Sequence, residues 1–357
     1  MIPYYFMLGV PIILALLYGG TSQKVGERKK QGIVIFSFFA ILLLILMLRD
    51  QTIGVDIKTY LSHFSIVDKV SPQRAEKLFG FERGFWLLNK IISAISTNEN
   101  FFLAVIAIIT TVPLAVLYIK ESENALLTIS VFLMLSNFSI LFSGLRQSIA
   151  LAIIAIAFTF VKKKKLVWFI LLVVLAFFFH KSALIAFLIY PVYHMNITRT
   201  KMFFSVPLIV LVFIFNKEIF EFLLVFLNDL GYNYEFEETS AYMMIILFAL
   251  FVLLSYIAPA EENMDKNTIG LRNLGVLSLV IQIFALASPV AMRMNYYFMM
   301  FYPILLPKVI KRALPRNMQV YQLVGVVVML YFFFDYISGM YTGADILQLY
   351  PYKAFWE

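Results

Sequence analysis

Long apolar runs, rather than strict helical or strand-like alternation, dominate this sequence. Cut at charged residues and at Pro- or Gly-bearing stretches, they give candidate spans at 2–20, 32–48, 100–119, 125–142, 145–161, 166–179, 182–194, 202–216, 241–258, 271–288, 290–307 and 319–340. A helix needs roughly 20 apolar residues to cross a bilayer, so the pattern predicts an all-α polytopic integral membrane protein with about 12 transmembrane helices. Helices are expected because every backbone polar group inside lipid must be satisfied internally. Runs 166–179 and 182–194 form one apolar stretch broken only by His180-Lys181. Residues 49–99 read as a loop carrying one amphipathic surface helix over 84–95. Residues 217–240 read as an acidic loop, and no internal repeat or low-complexity linker divides the chain, so 1–357 is predicted to be a single transmembrane domain.

Composition agrees with the pattern. Of 357 residues, 62% are apolar and 14% charged. A soluble domain averages about 45–50% apolar and about 25% charged. Too few polar side chains remain to cover a water-soluble surface, which excludes an ordinary cytosolic enzyme, a secreted domain and a disordered chain. Cysteine is absent, which excludes disulfides, thiolate nucleophiles, Cys-ligated zinc and haem attachment. Three dispersed histidines, His63, His180 and His194, predict no metal cluster. The net charge of +8 is read as topology rather than as nucleic-acid binding. The first twenty residues lack a basic start and a small-residue cleavage site, so a retained helix is predicted.

Positive charge sets the expected sidedness. Lys24, Arg28, Lys29 and Lys30, the lysines at 162–165, Arg199 with Lys201, and Lys308, Lys311, Arg312 and Arg316 mark cytoplasmic segments. Four spans fall between the first two clusters, two between the next pair and four between the last. Every interval is even, so both termini are predicted outside. The two spans at 166–194 require a break or re-entrant turn near His180.

The remaining charged clusters then share the outer side. Arg49, Asp50, Asp56 and Tyr60 follow the second span, with Gly54 marking a turn. Glu82 sits among Phe81, Phe85 and Trp86, in surroundings that would raise a carboxylate's pKa. Arg146 and Gln147 open a helix after Ser143-Gly144. A basic residue opposes the dipole there, but exposed N–H groups beside an arginine suit an anion such as phosphate. His180-Lys181 interrupts an apolar stretch, where ionisable groups are costly. Arg293, Asn295, Tyr296 and Tyr297 follow Pro289, with Arg293 and the tyrosines on one helix face. Each feature alone also fits a solvated helix exit with local ion pairs, interfacial anchoring, a snorkelling arginine or a hydrogen-bonded histidine packing a helix break. Together they suit a lipid-linked diphosphate: arginines neutralise phosphate, and a carboxylate or histidine accepts a proton from an attacking hydroxyl.

The ordered set resembles the EpsG family of Wzy-like bacterial polysaccharide polymerases, used in exopolysaccharide and capsule synthesis. The residues are Arg49, Asp50, Gly54, Asp56 and Tyr60; Phe81, Glu82, Gly84, Phe85, Leu88 and Asn89; Ser143, Gly144, Arg146, Gln147 and Ser148; Phe179, His180, Lys181, Ser182 and Ala183; and Arg293, Asn295 and Tyr296. The similarity spans roughly 30–310, while 341–357 matches nothing familiar. It implies the architecture of C-type glycosyltransferases, in the bacterial plasma membrane with the site facing outward. The implied reaction moves a growing glycan from undecaprenyl diphosphate onto the sugar end of a new lipid-linked repeat unit. No metal or cofactor is implied. The implied partners are the lipid-linked oligosaccharide, membrane lipid and a chain-length regulator.

Arg146, Arg293 and Arg49 are the expected diphosphate ligands, and His180 the expected base, with Asp56 and Glu82 as alternatives. Asp50, Tyr60, Gln147, Lys181, Asn295 and Tyr296 complete the expected substrate contacts. A lipid-linked oligosaccharide flippase would instead place its cations in a cavity reachable from both sides, with paired discontinuous helices. A sugar O-acyltransferase would need an inward-facing site. A lipid-linked glycan ligase differs only in its acceptor.

Overall fold

The computed structural model describes residues 2–19, 24–135, 137–229, 239, 241–257, 264–313, 327, 331, 348–349 and 351–357. The described regular elements are helices, and the one β-like feature is an isolated antiparallel bridge between Arg49 and Ala354. Four helices are long and apolar enough to cross a membrane, or five if the bent pair 199–214 and 216–223 counts as one span. Shorter apolar helices lie at Ile2–Leu17, Ala125–Met134, Leu166–Phe177 and Tyr242–Ile257. The chain is a multi-pass helical membrane protein.

Several expected spans are subdivided. The run 125–142 splits into α7 (Ala125–Met134) and α8 (Ile140–Ser143). Asn137 and Ser139 lie buried in the gap, and such side chains draw the backbone out of a regular helix. The run 182–194 becomes a 3₁₀ helix, Lys181–Leu188, followed by α11 (Ile189–His194). The run 290–307 divides into α16 (Pro289–Met299) and α17 (Tyr302–Ala313). Pro303 stands in the first turn of α17, where its missing N–H is tolerated but a continuous helix through it is not. The loop expected at 217–240 is helical in its first half, α13 (Asn216–Asp229), bent 77° from α12 (Arg199–Ile214). Asn216 makes the corner by donating its amide to Phe213 O at 2.7 Å. The expected span 319–340 lies outside the described residues, apart from isolated positions 327 and 331.

The helices pack as two compact units, residues 1–184 with 317–357, and residues 185–316. In the first, α1 (Ile2–Gly19) packs on α2 (Lys24–Leu48), α2 on α6 (Glu99–Glu121), α6 on α9 (Leu145–Lys162), and α9 on α10 (Leu166–Phe177). Phe38, Phe39, Tyr118 and Phe132 interlock in its core. Its two ends differ. At one, Arg28 donates to Lys120 O at 3.0 Å and Lys162 pairs with Glu121 at 2.5 Å, beside the lysine turn. The other end carries Arg49, Arg146 and His180.

At that second end, 49–99 is a folded cap rather than a loop with one helix. It comprises α3 (Ile57–Ile66), α4 (Pro72–Phe79) and α5 (Arg83–Ile95). Ser71 accepts from Arg74 N–H to start α4, and Gly80, at φ +64°, ends it in the left-handed conformation that glycine tolerates. Ile57, Tyr60, Phe64, Phe85 and Ile92 face Phe102 and Ile106 of α6 in one apolar cluster. α5 buries Phe85, Asn89, Ile92 and Ser93 and leaves Leu87, Ile91 and Ile95 exposed.

In the second unit α15 (Lys266–Ile283) is central, with α11, α12, α14 (Tyr242–Ile257), α16 and α17 packed on it. Gly270 and Gly275 admit Tyr193 and Tyr302 close to its backbone.

Candidate active site

Glu82 is the hub of the capped end. It lies 8% exposed at the start of α5. Its Oε2 accepts from Arg146 Nη1 at 2.5 Å. Its Oε1 accepts from the Lys181 backbone N–H at 3.1 Å and stands 3.4 Å from His180 Nδ1. Arg146 Nη1 also donates to Gly80 O at 2.9 Å, and its guanidinium lies 4.5 Å from the Phe81 ring centre. Tyr60 stacks on the other side of this group, 5.2 Å from Phe81 by ring centres. Arg146 Nε is buried without a hydrogen-bond partner, yet the side chain as a whole is 20% exposed. The His180 side chain is 17% exposed. A cation and an imidazole thus share one partly open edge, with the buried Phe81 and Tyr60 rings behind them.

The sequence reason for this meeting is Gly84. Its N–H donates to Phe178 O at 2.9 Å, and a Cβ there would stand 2.5 Å from that oxygen. Phe178 follows the last residue of α10, whose terminal carbonyls lack intrahelical donors. Only a bare α-carbon lets α5 approach closely enough to satisfy one of them, and that approach sets Glu82 against His180. Gly84→Ala is expected to separate the two and lower turnover about 10²-fold, as a misplacement of about 1 Å can. A Gly84→Ala protein with unchanged turnover and melting temperature would refute this account.

Burial works to raise the Glu82 pKa, but hydrogen bonding from His180 and the Arg146 charge outweigh it and hold the group at about 2. The apolar surroundings alone suggested a raised pKa, and the unseen partners reverse that. Burial pushes the Tyr60 phenol up, opposed by the neighbouring Arg146 charge. Hydrogen bonds from Thr52 hold Asp50 below the usual carboxylate range. Thr52 N–H and Oγ1 both donate to Asp50 Oδ1, at 2.9 and 2.6 Å. Asp56 is exposed at the N-terminus of α3 and makes no capping hydrogen bond. Lys181 Nζ lies 3.9 Å from Glu76 at the rim.

Other expected substrate ligands sit inside the protein. Arg49 is 2% exposed and donates from Nη1 to Phe142 O at 2.6 Å. Tyr60 and Gln147 are both 4% exposed. Tyr60 and Gln147 fall on the inner faces of α3 and α9, and Arg49 is buried in the bridge that follows α2. In the second unit Arg293 is exposed, whereas Asn295 and Tyr296 are buried. Asn295 joins α16 to α15: its Oδ1 accepts from Ser278 Oγ and its Nδ2 donates to Gln282 Oε1, both at 2.8 Å. His63, which the motif reading left aside, is enclosed by Phe79, Phe81 and Phe85, and burial pushes its pKa down. The Gly80 carbonyl and the Lys181 N–H also join the site, and such backbone groups leave no mark in residue type.

A family model described as the EpsG family matches residues 33–354, nearly the whole chain. No curated protein and no solved structure matches it.

Proposed function

The chain belongs to the EpsG family, a family of Wzy-like polymerases, and from that premise we propose that it polymerises undecaprenyl-diphosphate-linked repeat units outside the cytoplasm. The growing glycan leaves its diphosphate carrier and joins the sugar end of a new unit, for exopolysaccharide or capsule. The observation that carries this reading is the Glu82 hub, which presents Arg146 and His180 on one partly open edge. That edge lies opposite the lysine-rich end of the same unit, which positive charge assigns to the cytoplasm.

In the proposed step an acceptor hydroxyl oxygen attacks the anomeric carbon of the growing chain. The C–O bond to the diphosphate breaks, and undecaprenyl diphosphate leaves with the bonding pair. The attacking hydroxyl's proton passes to His180. Nδ1 faces Glu82, whose carboxylate balances the imidazolium that forms. Arg146 holds the charge growing on the leaving oxygen. Glu82, held ionised with both oxygens occupied, positions these two groups and is a poor proton acceptor itself. Asp56 and Asp50 are proposed to bind acceptor-sugar hydroxyls, with Asp56 the alternative base. Lys181 attracts phosphate at the rim. Arg293 is proposed as a further diphosphate ligand and Asn295 as the residue that orients its helix, with Tyr296 beside it. Direct displacement inverts the anomeric centre and uses neither metal nor nucleotide sugar.

The test supplies purified protein in nanodiscs with a synthetic lipid-diphosphate repeat unit, EDTA and no nucleotide sugar. A ladder of longer glycans with released lipid diphosphate is expected. Substrate binding without a ladder would favour a flippase, and neither binding nor ladder would overturn the proposed site.

A further inference from the structure

We infer that the described part of the C-terminal segment, residues 348–349 and 351–357, is a strap that positions the Asp50–Asp56 loop and the Arg146 turn for this reaction, an inference that rests on the polymerase reading. The family match runs to residue 354, and the segment's contacts are made largely by backbone. Asp50 N–H donates to Lys353 O at 2.9 Å and Gly54 N–H to Gln348 O at 3.1 Å. Phe355 N–H donates to Leu48 O at 3.0 Å, flanking the Arg49–Ala354 bridge. Side chains fasten the segment to both membrane helices beneath it. Tyr352 Oη donates to Ile45 O at 3.0 Å on α2, and Tyr4 Oη of α1 donates to Leu349 O at 2.9 Å. Leu349 and Ala354 are buried.

The strap therefore supplies acceptors on both flanks of the Asp50–Gly54 turn. The same turn rests on the segment leading to Arg146. Arg49 Nη1 holds Phe142 O, Val55 N–H donates to Ser143 Oγ at 3.2 Å, and Gly54 packs against Phe142 O. Gly54, at φ +100°, has no room for a Cβ there. Three pieces of chain thus brace one another: the strap, the loop bearing two proposed sugar-binding carboxylates, and the turn that starts the Arg146 helix. Without the strap, the Asp50 and Gly54 N–H groups lose their acceptors, and the carboxylates lose their fixed distance from Arg146.

The test uses the nanodisc ladder assay. A stop after Leu347 removes the strap and is expected to lower kcat about 10²-fold, the scale of a misplacement of about 1 Å, and to raise KM for the lipid-linked acceptor as the carboxylates lose their place. Added peptide matching 348–357 should restore the ladder. Gln348→Gly should leave turnover unchanged, because the contact is made by the carbonyl and Gln348 sits at φ +52°, which glycine favours. Full kcat in the truncated chain would overturn the inference. If the truncated chain fails to fold, Leu48→Cys/Phe355→Cys decides, since the chain has no other cysteine. A short bismaleimide should join the pair with turnover kept. Failure to cross-link, or turnover lost on cross-linking but not with a monofunctional maleimide, would overturn it. A wild-type chain that forms no ladder defeats the polymerase reading instead, and cross-linking still reports whether the strap is docked.

Discussion

Arg146→Ala is expected to lower polymer output about 10²–10³-fold, the loss of roughly 3–4 kcal/mol seen when one preorganised donor to a developing charge is removed. Several contacts hold this guanidinium before any substrate arrives. Glu82 and the Gly80 carbonyl fix Nη1, and the Phe81 ring lies against the guanidinium. The donor therefore needs no reorganisation as the diphosphate takes up charge. Arg146→Lys should recover only part of the activity, because a point cation cannot occupy a fork and stack on Phe81 together. The measurement is single-turnover ladder formation, with lipid-diphosphate release read in parallel. Full output from Arg146→Ala would remove it from the reaction.

Glu82→Ala should be nearly as damaging, for a different reason. It leaves the Arg146 cation and the Lys181 N–H without their carboxylate, and His180 without its neighbour. Breaking a buried pair from one side costs about 3–5 kcal/mol, and the partial exposure of Arg146 places this case towards the lower figure. Both melting temperature and turnover are expected to fall. Glu82→Gln keeps the shape and one acceptor but removes the charge, so it separates packing from electrostatics. The pH dependence follows from the group's low pKa. A carboxyl held at about 2, against an ordinary 4.5, stabilises the fold fully above about pH 4.5. That contribution fades as pH falls through the window down to about 2. Wild-type protein should therefore lose thermal stability across this window, and Glu82→Gln should lose measurably less. Equal slopes for the two proteins would show that the carboxylate gains nothing from its partners.

The two substitutions probe parts of the site that were unequally visible beforehand. The charged interruption at His180 reads directly from the sequence, because an ionisable pair within an apolar stretch must break the span, and α10 does end just before it. Arg146 also stands out, at the start of an apolar helix behind a Ser-Gly turn. Glu82 drew attention for the wrong reason. Its neighbours in sequence are aromatic, whereas its partners in space lie 64 and 99 residues away. Tyr60 and Gln147 have the residue types of substrate ligands, but helix packing turns them inward, and Arg49 is buried where the bridge to Ala354 and the Phe142 carbonyl hold it.

The sequence by itself determined that this chain crosses a membrane several times as helices, which end of its first unit is lysine-rich, and which family it belongs to. These properties are local or ordered along the chain. Transfer into lipid depends on the apolar content of a run, and a motif order survives without knowledge of contacts. Tertiary structure alone decided that 49–99 folds into a three-helix cap, that Glu82 is a low-pKa anchor, and that the C-terminal tail braces the Asp50–Gly54 turn. Each of those outcomes depends on partners remote in sequence, several of them backbone N–H and C=O groups that every residue type shares. Residue identity cannot encode such partners one at a time; only the packing of helices selects them.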